Sequence, residues 1–252
     1  MLGSKGKKKA TESGTGYMLY EDLAYLPNAE DRQRLDVHLP DGEAPEGGWP
    51  LMLYAHPGGF IMGNKSDARG RWNFAIRAID HGFALISTNY RLLGREPENI
   101  ELEIEDIQAA MRWAVNNADA LGINTSKIAY AGISAGGALV SAAAARANAQ
   151  GEPPAFAVVS FISPYVVTKV AQHLDKDDPP FYMVSGKMDT VVRHKQAEDF
   201  AAALDDASVP YVLVVVGDES NPVDHIEVLD AYKALGKMDD PFIWLKGLLA
   251  EK

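Results

Sequence analysis

The hexapeptide GISAGG, Gly132–Gly137, decides how this chain is interpreted, because it matches the pattern G-x-S-x-G around Ser134. The apolar run before it, residues 127–131, predicts a buried strand, and the small residues 138–145 after it predict a helix. A serine on a sharp strand-to-helix turn is held exposed and strained, and the flanking glycines avoid clashes that larger side chains would make. Free N–H groups at the helix start would favour an oxyanion beside the serine. The sequence therefore predicts that Ser134 is a nucleophile.

The rest of the chain alternates predicted strands with predicted helices. The eight strand candidates are residues 17–25, 34–39, 50–55, 83–89, 127–131, 155–162, 180–185 and 211–217. Helical patterns occur at residues 67–80, 98–121, 193–207, 226–235 and 241–249. This alternation predicts an α/β fold with a mostly parallel sheet of about eight strands, flanked by helices on both faces. No helix separates the first two strands, so that edge should be antiparallel.

Composition and charge restrict the possible partners. The chain has 252 residues, a formal charge of −11 and no cysteine, which argues against nucleic acid and excludes disulfides and thiolate metal sites. Residues 1–16 are predicted to be a disordered basic tail, followed by a single domain over residues 17–252. No apolar stretch approaches the ~20 residues of a membrane span. No apolar segment follows the basic N-terminus, so we expect no signal peptide and a cytoplasmic location, with secretion left open.

Two residues are candidates to activate the serine. Serine is a weak nucleophile unless a base takes its proton, and that base needs a partner to orient it. Asp189 follows the strand at 180–185, and His225 follows the strand at 211–217. The order Ser, Asp, His along the chain is typical of α/β-hydrolases. Asp189 could instead cap a helix, His225 could be an exposed loop histidine, and Asp224 is a less favoured alternative acid.

A second motif follows the third predicted strand. It is HPGGF, residues 56–60, in which glycines let the backbone come close to a substrate carbonyl. The N–H groups of Gly58, Gly59 and Ala135 are predicted to form an oxyanion hole. The alternative is an ordinary tight turn.

Taken together, these motifs resemble those of one superfamily. HPGGF resembles the HGGG motif of hormone-sensitive-lipase-type and feruloyl-esterase-like (BD-FAE-like) carboxylesterases, which are α/β-hydrolases. GISAGG is similar to their nucleophile turn, and further similar segments are STNYRL (87–92), GKMDTVV (186–192) and LDVHLP (35–40). The resemblance extends over residues 17–235. It implies an α/β-hydrolase fold and a serine carboxylesterase that acts on short acyl or acetyl esters, including carbohydrate-linked ones, through an acyl-enzyme, with no cofactor or metal.

The chain also departs from the family pattern. Pro57 replaces the first glycine of HGGG and has no N–H, but that position is not a usual donor in the family. The segment around His225 lacks the usual aromatic residues. Residues 164–179 form only a short insertion, so we expect a minimal cap, an open site and no lid.

The wall of the substrate pocket and the oligomeric state are further predictions. Apolar or aromatic residues that follow strand ends are assigned to the wall, with core positions as the alternative: Phe60, Ile61, Met62, Tyr90, Tyr165 and Val192. The apolar C-terminal run, residues 242–249, is a candidate homodimer surface, although packing back onto the sheet is the simpler interpretation.

Three other functions stay open at this point. The same triad would serve an amide-cleaving enzyme such as an arylformamidase or a peptidase. A ligand receptor without catalysis could use the same fold, although such receptors usually lack the catalytic histidine. The third alternative is a binding module in which the motifs are accidental.

Overall fold

A computed structural model describes residues 7–12 and 15–251, and in this part of the chain helices cover both faces of a nine-stranded sheet. The strands are β1 (Lys7–Glu12), β2 (Thr15–Ala24), β3 (Arg34–Pro40), β4 (Trp49–Ala55), β5 (Ala84–Thr88), β6 (Ile123–Ile133), β7 (Ala157–Phe161), β8 (Phe181–Gly186) and β9 (Tyr211–Val216). The helices are α1 (Phe74–Asp80), α2 (Pro97–Asn116), α3 (Ala118–Leu121), α4 (Ala135–Gln150), α5 (Tyr165–Thr168), α6 (Lys195–Ala207), α7 (His225–Ala234) and α8 (Asp240–Ala250). Short 3-10 turns lie at Lys65–Arg69 and Val170–Gln172.

The sheet is antiparallel at one side and parallel over the rest. Its spatial order is β1-β2-β3-β5-β4-β6-β7-β8-β9. The pairs β1–β2, β2–β3 and β3–β5 are antiparallel, and every pair from β5–β4 to β8–β9 is parallel. The predicted antiparallel edge and the predicted parallel region are therefore both confirmed.

Strand β4 shows how the sheet separates two cores. Leu51, Leu53 and Ala55 belong to one hydrophobic cluster, whereas Met52 and Tyr54 belong to the other, and all are buried. Successive side chains of a strand point to opposite faces, so a central strand buried on both sides reads as one continuous apolar run. Helices α2, α4 and α6 contribute to the first cluster, and α1, α7 and α8 to the second.

The helices pack through the patterns seen in the sequence. In α2, Ile100, Ile104, Ile107 and Met111 form the buried stripe that faces the sheet. The predicted helix over residues 98–121 is divided at Asn117, whose φ of −110° and ψ of 8° interrupt the helical backbone between α2 and α3.

The predicted disordered tail differs from the structure at Lys7–Glu12. This segment is strand β1, and it pairs antiparallel with β2 from Lys7 opposite Tyr20 to Glu12 opposite Thr15. Without β1, the backbone N–H and C=O groups at the edge of β2 would be unpaired. The hydrogen bonds between β1 and β2 pair these groups, and this pairing does not require an apolar pattern in β1. Thr15 and Gly16 are the first residues of β2, and the rest of the predicted tail, residues 1–6 and 13–14, lies outside the described residues.

The apolar C-terminal run packs mainly onto the sheet. Phe242 and Leu245 in α8 are fully buried in the second cluster, while Ile243 is exposed. The homodimer stays a prediction. Among the described residues, no helix is long and apolar enough to cross a membrane.

Parallel pairing brings several loops to one edge of the sheet. Strands β4, β6, β8 and β9 run in the same direction, so the segments that follow them lie together at their carboxyl ends. Open parallel sheets bind their ligands at this edge. HPGGF, Ser134, Asp189 and His225 each follow one of these strands.

Candidate active site

Ser134 occupies a strained turn between β6 and α4. Its φ is 51°, in the left-handed region that residues other than glycine rarely adopt. Such a conformation costs about 1–3 kcal/mol and persists only where the surroundings enforce it. Here the N–H of Ser134 donates to the carbonyl oxygen of Phe161 at the end of β7, at 2.8 Å. The turn leaves the side chain at the edge of a cavity, with 7% of the residue exposed.

The start of α4 lies directly against the end of β4. A Cβ added to Gly136 would lie 2.2 Å from the carbonyl oxygen of Ala55 and 2.5 Å from that of His56. Only glycine allows this approach, which sets the loop after β4 beside Ser134. Ala135, the first residue of α4, therefore has its backbone next to that loop. The N–H groups in the first turn of a helix have no acceptor within it, so they are available to an anion.

His225 connects Ser134 to Asp189 through two hydrogen bonds. Its Nδ1 lies 2.8 Å from Oδ2 of Asp189, and its Nε2 lies 3.0 Å from Oγ of Ser134. A carboxylate can only accept, so Nδ1 carries the proton and Nε2 is left to accept from the serine hydroxyl. The second oxygen of Asp189 accepts from the N–H groups of Val191 and Val192, at 2.9 and 2.8 Å. The geometry fixes the histidine tautomer that a general base requires.

Asp224, the alternative acid, has a different role. It is the N-cap of α7 and accepts from the N–H of His225, not from the ring. Its carboxylate also accepts from the N–H and the hydroxyl of Thr190. These backbone and side-chain donors lower the pKa of Asp224. Asp224 thus ties the loop of Asp189 to the start of α7, and Asp189 alone orients the imidazole.

The loop after β4 folds back on itself around two glycines. Gly58 and Gly59 have φ values of 139° and 62°. A Cβ on Gly58 would lie 1.9 Å from the carbonyl oxygen of Met62, so only glycine fits. The N–H groups of Ile61 and Met62 donate to the carbonyl of Gly58 at 3.2 and 3.1 Å. Gly58 and Gly59 line the same cavity as Ser134, where their N–H groups were predicted to act.

His56 supports this loop through hydrogen bonds and ring stacking. It is fully buried, and burial lowers its pKa to about 3. Arg32 can only donate, so Nε2 of His56 accepts at 3.0 Å, and Nδ1 donates to the carbonyl of Pro57 at 2.8 Å. The ring stacks on Tyr90 at 4.4 Å between centroids. A neutral histidine with both nitrogens engaged thereby fixes the loop that carries Gly58 and Gly59.

Ser134 and His225 open into a cavity of about 440 Å³. Two of the predicted wall residues, Ile61 and Met62, line it and are 68% and 63% exposed. No large cap covers it in the described part of the chain, where the insertion between β7 and β8 consists of α5 and a 3-10 turn. Among the described residues, no group of three His, Cys, Asp or Glu side chains is arranged to hold a metal ion.

Four of the six predicted wall residues do not line this cavity. Tyr90 is buried under His56, and its hydroxyl donates to the carbonyl of His56 at 2.9 Å. Phe60 is also fully buried, and its φ of 72° lies in the left-handed region. Tyr165 stacks on Phe200 and lines a separate cavity of about 470 Å³ between α5 and α6.

The prediction of Val192 as a wall residue is wrong by one position. Val192 is buried, and its N–H donates to Asp189. The preceding residue, Val191, is 58% exposed and lines the cavity instead.

Sequence reasoning missed four residues of the lining. These are Pro57, Arg95, Val191 and Ile226. Pro57 and Ile226 are next to residues that were identified. Arg95 follows β5, which ends at the same edge of the sheet as β4 and β6, so its position after a parallel strand is the signal that could have found it.

A buried carboxyl group supports the segment that carries Arg95. Oε1 of Glu103 in α2 accepts from the N–H of Leu93 at 2.9 Å, and Oε2 has no hydrogen-bond partner among the described residues. Burial raises the pKa of Glu103 to about 8, against the opposing effect of the N–H groups of Leu93 and Gly94. The folded protein therefore keeps Glu103 protonated at neutral pH, whereas the unfolded chain ionises it near 4.5.

Glu103→Gln is expected to change how stability depends on pH. Between pH 5 and 8 Glu103 holds a proton in the folded state that it has lost in the unfolded chain, so the contribution of this group to the free energy of unfolding falls as pH rises, by up to about 1.4 kcal/mol per pH unit. Glutamine keeps the acceptor for Leu93 and removes this contribution, so the slope of the variant should be more positive than that of the wild type by this amount. Urea unfolding at several pH values measures it, with the exposed Glu105 changed to glutamine as the control. Equal slopes in the wild type and Glu103→Gln would contradict the assignment.

These loops on this sheet define an α/β-hydrolase fold with a Ser–His–Asp arrangement at its carboxyl edge. Residues 35–163, half of the chain, match the BD-FAE family. The chain belongs to that family. A solved structure described as a truncated form of a carbohydrate esterase from gut microbiota superposes with a TM-score of 0.78 at 19% identity, covering 96% of this chain and 99% of that one.

Curated relatives resemble the same region of the chain. Esterase LipI of Mycobacterium tuberculosis is 36% identical over 105 residues, which are 42% of this chain and 32% of the relative. Ethyl acetate hydrolase of Pseudomonas putida is 34% identical over 125 residues, 48% of this chain and 38% of the relative. The matches thus span about a third of the length of these relatives.

Proposed function

We propose that this chain hydrolyses short-chain carboxylic esters through an acyl-enzyme on Ser134. The observation that carries the proposal is the unbroken hydrogen-bonded series from Ser134 through His225 to Asp189, which opens into a cavity next to Gly58 and Gly59. If the pair of Asp189 and His225 served only to stabilise the fold, it would not need a serine in a strained turn next to the histidine. Strain of this kind concentrates at functional sites, so the φ of 51° at Ser134 is independent support.

The proposed mechanism uses each group in turn. His225 takes the hydroxyl proton through Nε2 as Oγ of Ser134 attacks the ester carbonyl carbon. The N–H groups of Gly58, Gly59 and Ala135 stabilise the oxyanion, and Asp189 stabilises the imidazolium. His225 then protonates the leaving alcohol, activates a water molecule that attacks the acyl-enzyme, and returns the proton to Ser134.

The size and openness of the cavity support small esters. The groups next to the ester carbonyl share a cavity of about 440 Å³, which is lined by the apolar side chains of Ile61, Met62, Val191 and Ile226. A long acyl chain would extend past these exposed side chains into water and gain little burial there. The names of similar proteins, an ethyl acetate hydrolase and a carbohydrate esterase, agree with acetyl or short acyl groups, including those on carbohydrates. The cytoplasmic location stays a prediction.

A series of p-nitrophenyl esters from acetate to decanoate tests the proposal. We expect kcat/KM to stay within about threefold from butyrate to decanoate, since methylene groups left in water gain none of the about 0.8 kcal/mol, or about fourfold, that burial of each would provide. Acetylated xylan, assayed by acetate release, tests carbohydrate-linked esters. No turnover of any ester would contradict the proposal. Turnover of formanilides or nitroanilides alone would instead support an amide-cleaving enzyme, which needs the same triad.

A further inference from the structure

Arg95 is the one side chain with a permanent charge among the described residues that line the cavity of Ser134. Its guanidinium lies over the ring of Phe60, with Cζ 5.8 Å from the ring centroid. Its Nη2 lies 3.6 Å from the position that a Cβ on Gly59 would take. The positive charge therefore lies beside the backbone that was assigned to the oxyanion hole.

Arg95 has no ion pair with any described residue, although the chain carries a net charge of −11. Some other arginines are paired with carboxylates, such as Arg91 with Asp106 and Arg146 with Glu101, whereas Arg32 and Arg34 donate to backbone carbonyls instead. Glu96, its neighbour in sequence, does not line the cavity. The hydrogen-bond donors of Arg95 are thus left for solvent or for a molecule in the cavity.

The segment that carries Arg95 is held in place at several points. The N–H of Gly94 donates to the carbonyl of Phe60 at 3.1 Å, and the N–H of Leu93 donates to Glu103 at 2.9 Å. The guanidinium also rests on the face of Phe60, a contact that cation–π attraction favours. An oriented guanidinium presents parallel N–H groups that match the two oxygens of a carboxylate.

We propose that the substrate is an ester that bears a carboxylate, and that Arg95 binds this carboxylate while Ser134 attacks the ester; the inference rests on the proposed function. Two sources of the anion fit the cavity. The carboxylate can belong to the acyl part, as in a half-ester of a dicarboxylic acid, or to the alcohol part, as in an acylated hydroxy acid. In both, Arg95 selects the substrate and is no part of the proton transfers.

Matched pairs of esters test the inference and separate the two sources. On the acyl side the pair is the p-nitrophenyl half-ester of adipic acid and p-nitrophenyl hexanoate. On the alcohol side it is 4-acetoxybenzoate and 4-acetoxybenzamide. We expect kcat/KM to favour the anionic member of at least one pair by about tenfold at low salt, as a charged hydrogen bond provides. The ratio should fall with added salt, because the pair is exposed to solvent.

Two variants and a control show whether Arg95 is responsible. Arg95→Gln should bring the ratio of the two kcat/KM values to about 1, and Arg95→Glu should invert it. Lys246→Gln, an exposed lysine in α8 that does not line the cavity, makes the same change of net charge and should leave the ratio unaltered. A wild-type ratio near 1 for both pairs, or a ratio that Arg95→Gln does not change, would overturn the inference.

Equilibrium binding gives a result that does not depend on turnover. The wild type should bind 4-acetamidobenzoate about tenfold more tightly than 4-acetamidobenzamide, and Arg95→Gln should bind both equally. Absence of ester turnover together with this preference would refute the proposed function and support the carboxylate site. Ester turnover with no binding preference and no kinetic preference would support the proposed function and refute the carboxylate site.

Discussion

Ser134→Ala is expected to lower kcat for p-nitrophenyl acetate by about 10⁶-fold, because the members of a Ser–His–Asp unit act together and removal of the nucleophile leaves only binding and the oxyanion hole. His225→Ala should cost about as much, and the double variant should be no slower than either single variant. This lack of additivity is the signature of one catalytic unit and would not arise if the two side chains only supported the fold.

A serine from the other end of the same strand is the control. Ser126 is exposed near the start of β6, and Ser126→Ala should keep wild-type turnover. Unfolding by urea separates a loss of catalysis from a loss of structure, since alanine at position 134 keeps the hydrogen bond from its N–H to Phe161. Wild-type activity in Ser134→Ala would place the nucleophile elsewhere.

The turn that holds Ser134 could be predicted from sequence because its causes are local. The turn needs Gly132, Ser134 and Gly136, which all lie in one short segment. The strand before this segment and the helix after it have clear apolar patterns. The same holds for the loop of Gly58 and Gly59. The parallel order of strands then places every such loop at one edge, so the association of Ser134 with Asp189 and His225 follows from topology.

The direction of individual loop side chains could not be predicted in this way. Val191 and Val192 are identical in type, yet Val191 is exposed at the cavity and Val192 is buried. Tyr90 and Tyr165 follow strand ends as expected, but stacking on His56 and Phe200 buries them. The stacking partners of the two tyrosines are distant in sequence, and periodicity does not describe such contacts.

Strand β1 illustrates the same limit for secondary structure. Its sequence, KKKATE, has no apolar alternation and reads as a solvated tail. The edge of β2 supplies the backbone partners that make it a strand, so tertiary context overrides local propensity. Arg95 is a further example of tertiary context. The segment around it does not indicate a role, and its position at the cavity depends on the loop after β4, which lines the same cavity.

Asp189→Asn is expected to lower kcat by about 10⁴-fold, as loss of the orienting carboxylate does in triads of this kind. The N–H groups of Val191 and Val192 require an oxygen at the Oδ1 position, so the amide NH₂ of asparagine must face His225. A donor there forces Nδ1 of His225 to accept and moves the ring proton to Nε2. Nε2 then cannot take the proton of Ser134.

Asp224→Asn is the matched control for this prediction. It makes the same chemical change 2.8 Å from the backbone N–H of His225, but asparagine is an equally good N-cap for α7. We expect less than a threefold change in kcat for Asp224→Asn. The same steady-state assay with p-nitrophenyl acetate measures both variants. A larger loss in Asp224→Asn than in Asp189→Asn would reassign the triad acid, whereas the predicted order follows from which carboxylate accepts the ring N–H and which accepts only backbone and hydroxyl donors.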